Sequence, residues 1–293
     1  MTRRASTTIC WPLPCRTDRP MPARRRFLGL LGAAATAALL PGTARARLRR
    51  SLDYEDPQDA LTAMVKMRGS LLPEDVPHWY AGTIYAVLPG RSPLPLVGFE
   101  GSEIDYYERQ PDGSYHAWAA TVSIFRDLAS GQRLDSFTNP LTGIRSEVRA
   151  NSISVKAHYI YSIHGFKRSD DPRPLPAEPR IQKLLTWRES GEHVWLSMRR
   201  AYPPGATRGE HQLVRGALAE LHDPDQPKVH TTAAPTYVSP YLPWFGMGEL
   251  GGHALWVGPA RKLDRVQQYP RELLDYLERH FPDKLSAHPR RPA

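Results

Sequence analysis

Cysteine is nearly missing from this 293-residue chain, and the two present, Cys10 and Cys15, both lie close to the N-terminus. Nothing downstream can therefore form a disulfide, a thiolate metal site or a cysteine nucleophile. Long apolar runs are also scarce. The one that stands out, Phe27 to Leu40, falls short of the roughly 20 residues a membrane span needs and ends in Pro41-Gly42. No G-x-S-x-G elbow, phosphate loop or H-E-x-x-H motif occurs. Histidine ligands at metal spacing are lacking too: His158 and His164 would share a strand face about 20 Å apart, too far for one ion. No metal is expected.

An excess of one charge is lacking once the N-terminal segment is set aside. The whole chain carries 39 basic and 30 acidic residues, but residues 1–46 hold eight arginines and one acid. That leaves 31 basic against 29 acidic residues, so the basicity belongs to the segment and a nucleic-acid surface is not implied. The segment has three parts: Arg24, Arg25 and Arg26, the apolar run, and the small-residue exit Ala44-Arg45-Ala46. This is the pattern of a twin-arginine signal peptide. It predicts engagement of the twin-arginine export machinery, cleavage after Ala46, a periplasmic or secreted product and no membrane span in the mature protein. Residues 47–293 carry no repeat, charge run or low-complexity linker and read as a single β-rich domain.

What is present is a strand rhythm between two helices. Asp56 as cap and Pro57 at the first helical position open a short helix with Leu61, Met64, Val65 and Arg68 at helical spacing. A second helix, near Pro270 to Phe281, stripes Leu273, Leu274, Leu277 and Phe281 on one side. Between them, turns at Pro111-Asp112-Gly113, Ser130-Gly131, Asn139 to Gly143 and Glu189 to Glu192 mark hairpins in series. The proline-dense stretches at 171–179 and Pro203-Pro204 read as loops. The expected fold is mostly β, a closed antiparallel β-barrel of lipocalin-like or related kind, because closure removes unpaired edges. A sandwich is the competitor.

Candidate site residues follow from the strand faces and one unusual loop. Ala157, Tyr159, Tyr161 and Ile163 form one face of a strand and His158 and His164 the other, which faces either water or a polar lumen. Val194, Leu196 and Met198 oppose His193, Trp195, Ser197 and Arg199 in the same way. Arg126 ends a face with Trp118, Ala120, Val122 and Ile124, so it either snorkels to water or fixes an anionic group. Arg145, Glu147 and Arg149 share a face as a charge ladder or part of a site, and Asn139 before Pro140 builds a turn or reaches a ligand. The stretch from Pro235 to Trp256 interleaves Tyr241, Trp244 and Phe245 with glycines and prolines and embeds Glu249 and His253. That composition is either a core-packing loop or an aromatic rim for a small hydrophobic or aromatic molecule. Gly246 to Gly251 also fits G-x-G-x-x-G, but prolines precede it and a strand-like run follows it. The fingerprint needs a strand before and a helix after, so no dinucleotide cofactor is expected.

The motifs "YYERQPDGSY", "FRDLASGQRLDSFTNPLTG", "YLPWFGMGELGGHALW" and "LLDYLERHFPDKL", spread over about residues 53–286, resemble the family catalogued as domain of unknown function 1838. The resemblance implies a bacterial, often exported, β-rich protein and brings no activity or cofactor. His253 and Trp244 match its pattern, whereas Glu249 stands where glutamine is expected. Two functions remain open. One is a cofactor-independent lyase, hydratase or hydrolase, with His253 as acid or base, Arg126 stabilising negative charge, Glu249 beside them, and Trp244, Tyr241, Asn139, Glu147 and His158 around the ligand. The other is a non-catalytic periplasmic carrier of a hydrophobic ligand. An enzyme needs a titratable pair beside one apolar cavity, and a carrier needs only the cavity.

Overall fold

The computed structural model describes residues 51–200 and 208–289. The segment read as a signal peptide and the Pro203-Pro204 stretch read as a loop lie outside the described residues. Asp56 accepts hydrogen bonds from the Gln58 and Asp59 amides and starts α1 (Pro57–Arg68), whose cap and first-turn proline match the sequence pattern. Three long strands follow, β1 (Asp75–Val87), β2 (Leu94–Arg109) and β3 (Tyr115–Arg126), with the expected turn at Gly113 in the left-handed region at φ +83°. A separate hairpin of β4 (Ser136–Thr138) and β5 (Arg145–Glu147) precedes β6 (Asn151–Ser162) and β7 (Gly165–Arg168). Then come α2 (Ile181–Leu184), β8 (Leu185–Ser190), β9 (His193–Arg200), β10 (Gly209–Ala217) and α3 (Leu218–His222). The chain closes with β11 (Thr231–Ser239), β12 (His253–Val257), β13 (Ala260–Lys262) and α4 (Arg271–His280).

Eleven strands form one antiparallel sheet in the order β7-β6-β3-β2-β1-β12-β11-β10-β9-β8, with β13 joined to β1 and β11. Among the described residues no ladder joins the two ends, β7 and β8, so hydrogen bonding alone does not close the expected barrel. Packing nevertheless brings those ends together. Tyr161 and Phe166 from one end and Leu185, Trp187 and Leu196 from the other pack in one cluster with Leu61, Met64, Val65 and Met67 of α1. The helix occupies the inner face of the sheet and offers both ends an apolar surface.

Strand alternation sorts the two faces. Phe99 pairs with Phe125 and Tyr107 with Ala117, and these inner residues feed two clusters, one around α1 and one rich in aromatics. Val122 and Ile124, one residue out of phase, pack instead on Leu273, Leu274 and Leu277 of α4. The outer face is thus partly covered by the C-terminal helix, whose stripe buries as its spacing predicts. No helix among the described residues is long and apolar enough to cross a membrane.

Candidate functional site

The inner face between the two clusters is not apolar. His78 of β1 stands in register with Glu103 of β2 on one side and with Lys262 of β13 on the other. Asp105, two residues beyond Glu103, points the same way because the side-chain period of a strand is two. Arg68, at the end of α1, reaches into this row. Its Nη2 lies 3.3 Å from Glu103 Oε1 and 3.5 Å from Asp105 Oδ2. Its Nη1 donates to Gln212 Oε1 on β10, and Gln212 in turn donates to Glu210. Helix and sheet therefore meet through a partly buried polar chain from β10 to β1.

Two atoms in that chain have no hydrogen-bond partner. His78 Nε2 and Asp105 Oδ2 are both buried and face each other across 3.6 Å. Burial holds the His78 imidazole well below its ordinary value, with Lys262 and Arg68 adding to the effect, while a hydrogen bond to the Arg68 main chain acts the other way. Burial also pushes the Asp105 carboxyl up to about 8, helped by Glu103 and opposed by Arg68 and Lys262. Near neutral pH the pair is therefore a neutral imidazole beside a carboxyl that gains or loses its proton easily. Lys262 is held well below its ordinary range, first by burial and then by Arg68. Its Nζ donates to the Lys66 and Gly69 carbonyls at 2.8 and 2.9 Å, which fastens the end of α1.

Arg68 also forms one wall of a cavity of about 50 Å³. Met64, Tyr161, Phe166, Ile181, Leu185 and Met198 supply its apolar lining, and Glu210 and Gln212 stand with Arg68 at its polar end. The lining comes from α1, α2 and strands at both ends of the sheet. Ile181 of α2 is fully buried and fills the space between β7 and β8.

The residues singled out from sequence are distributed differently. Arg126 does fix an anionic group, but it is the protein's own. Its Nε donates to Glu100 Oε2 at 2.9 Å, its Nη2 to the same oxygen, and its Nη1 to Glu272 of α4 and to the Gly131 carbonyl, both at 3.1 Å. It lies on the outer face with Ile124, whereas Trp244 packs edge-on against Phe125 on the inner face, with ring centroids 4.7 Å apart. The sheet itself separates the two. His253, opposite Val87 at the start of β12, is out of phase with Ala254 and Trp256 of the aromatic cluster. Glu249 is exposed in the turn before it.

Tyr241 donates its hydroxyl to the Val87 carbonyl at 3.1 Å. Trp244 and Glu147 do share a cleft of about 470 Å³ with Arg149, Ala150, Leu242 and Pro243. Asn139 is fully buried and does more than turn the chain. Its Oδ1 accepts from the Leu141 and Thr142 amides, and its Nδ2 donates to the Phe245 carbonyl at 2.6 Å. His158 stacks flat on Trp118 at 4.6 Å on the outer face, beside His116. The glycine fingerprint lies between a 3-10 turn at Pro243–Phe245 and β12, with no helix after it.

His78, Glu103 and Asp105 carry no motif that marks them in the sequence, whereas Arg68 falls on the helix stripe. A guanidinium in line with Leu61, Met64 and Val65 was the available signal. The acids were visible as well: in "GFEGSEIDYYER" Glu103 and Asp105 alternate in phase with Phe99 and Tyr107. Without knowing which face was interior, that phase carried no meaning.

No curated protein matches the chain. A crystal structure of Rv2717c from M. tuberculosis is similar over 69% of this chain and 96% of that one, at 12% sequence identity and a TM-score of 0.20. Residues 208–291, from the start of β10 to beyond the C-terminal helix, match the family described as "Protein of unknown function (DUF1838)", so over this stretch the chain is similar to a family without an assigned activity.

Proposed function

We propose that this protein is an exported, cofactor-independent enzyme that moves a proton on a small, largely apolar molecule held inside the sheet. The observation that carries the reading is the buried pair His78 Nε2 and Asp105 Oδ2, 3.6 Å apart and each without a hydrogen-bond partner, with Arg68 Nη2 3.5 Å from the carboxyl oxygen, behind the polar end of an apolar cavity. Two titratable groups whose surroundings push them toward a shared proton are the usual requirement for acid or base work near neutral pH. Arg68 stands between cavity and pair and offers a fixed cation to an oxygen on which negative charge develops. A lyase, hydratase or hydrolase would use these parts.

In this reading the sheet acts as a barrel closed by side chains, with α1 as filling and α2 as the stave between β7 and β8. A free cavity of about 50 Å³ is far below the ~300 Å³ of ordinary ligand pockets, so a substrate enters by displacing the α2 wall. A carrier would need a roomy preformed cavity, and the cleft of about 470 Å³ beside Trp244 and Glu147 is the place for that reading. This reading seats the site around Arg68, whereas the sequence pointed to the "PWFGMGELGGH" loop.

The test is chemical. Small molecules extracted from protein purified out of its native host are identified by mass spectrometry and returned to the apoprotein. Turnover that falls about 10²-fold or more in both His78→Gln and Asp105→Asn, with both variants folded, is the expected result. Undiminished turnover in either variant refutes the assignment.

A further inference from the structure

The polar end of the cavity specifies more than a proton. Among the described residues, Arg68 is the only cation lining it, and its guanidinium is divided: Nη2 faces Glu103 and Asp105, whereas Nη1 faces Gln212 on the cavity side. A ligand oxygen can replace the neutral Gln212 amide without breaking an ion pair. The opposite walls, Met64, Ile181, Leu185 and Met198, suit an aliphatic chain. We infer, on the basis of the interior site proposed above, that its ligand is an apolar monocarboxylate seated on Arg68, and that Asp105 takes up a proton as the ligand binds.

The second half follows from charge. The groups facing Asp105 are Glu103 and Tyr107 on its own strand, Arg68 on α1, His78 on β1, Lys262 on β13 and Glu210 on β10. Lys262 does not line the cavity, and its Nζ is committed to two main-chain carbonyls. Arg68 is therefore the cation that an added carboxylate must share with Glu103 and Asp105, with Glu210 lining the same cavity. The Asp105 carboxyl is already pushed up by burial, and its Oδ2, which has no hydrogen-bond partner, faces at 3.6 Å an imidazole nitrogen able to accept a hydrogen bond from the protonated carboxyl. An arriving anion raises its proton affinity further. Below about pH 8 the free protein already holds this proton and uptake vanishes; above it, binding draws the proton from solvent.

Octanoate and 1-octanol serve as probes of one shape with and without the carboxylate. Isothermal titration calorimetry at pH 6 and pH 9, in buffers of different ionisation enthalpy, counts protons. Octanoate is expected to take up close to one proton at pH 9 and almost none at pH 6, its affinity falling by up to about tenfold per pH unit above 8. Octanol is expected to bind independently of pH. Asp105→Asn should bind octanoate without proton uptake, and Arg68→Lys, which keeps the charge but loses the fork, should erode the preference for octanoate over octanol. Equal, pH-independent binding of both probes overturns this inference and leaves the interior site standing. Binding of neither probe overturns both.

Discussion

Replacing Asp105 with asparagine should change the pH dependence of stability in a direction fixed by its surroundings. The carboxyl sits at about 8 in the folded protein against an ordinary value of 3.8. A group whose folded value is raised binds its proton more tightly when folded. Its contribution to stability is therefore complete below pH 4 and is lost as pH rises toward 8. The limiting slope is about 1.4 kcal/mol per pH unit, so between pH 5 and 8 wild type should lose up to about 4 kcal/mol through this residue alone. Asparagine keeps the shape and cannot ionise. The quantity to measure is the difference between variant and wild type, from urea unfolding at half-unit steps, because background titrations shared by both proteins drop out. The variant should gain on wild type steadily from pH 5 to 8. Parallel profiles, differing by a constant to within about 1 kcal/mol, would refute both the burial argument and the role given to this carboxyl.

His78 has the opposite sign. Its folded value is held well below 6.5, so the stability it contributes is present above pH 6.5 and lost as the solution is acidified; His78→Gln should flatten the acid limb of a urea profile. Asn139→Ala strands the buried Phe245 carbonyl and two turn amides, at a cost of about 2–4 kcal/mol, which a thermal melt should register as a Tm lower by roughly 5–15 °C. Arg126→Met leaves the buried Glu100 carboxylate without its cation, a loss of about 3–5 kcal/mol, and should raise amide exchange in α4 more than in β9. Replacing Arg24 and Arg25 by lysine should hold the protein in the cytoplasm, as fractionation and immunoblotting would show; normal export of that variant removes the twin-arginine reading.

Local chemistry was legible in the sequence wherever the chain decides for itself. Asp56-Pro57 starts α1, Gly113 and Gly191 turn their hairpins at positive φ, and the stripe of Leu273, Leu274 and Leu277 buries as written. Faces were legible in part. Tyr159, Tyr161 and Ile163 do form a core face, and Val194 and Leu196 another. What alternation cannot supply is which polar residues meet across strands distant in sequence. Arg68 finds Gln212 across 144 positions and Lys262 finds Lys66 across 196, and no local period encodes either pairing. For the same reason Arg126 could be seen as a cation at a strand end, but its partner Glu100, one strand over, could not. The aromatic loop drew attention through composition alone. The buried pair has ordinary composition and an unusual position.

The fastening of α1 bears on when the fold can be completed. Its last turn hangs on Lys262 through the Lys66 and Gly69 carbonyls, and Lys66 in turn caps α3 through the carbonyls of Glu220, Leu221 and Asp223. Among the described residues, the first helix to leave the ribosome therefore receives its final anchors only once the last strand, β13, has been made. Until then Arg68 and the apolar stripe of α1 have no inner face to enter, and the closure of so large a loop is slow as well as late. A chain threaded through a membrane segment by segment would carry α1 across while its partners were still on the other side. One exported after synthesis is complete would cross with α1 already anchored, and with whatever the cavity acquired in the cytoplasm enclosed beside it.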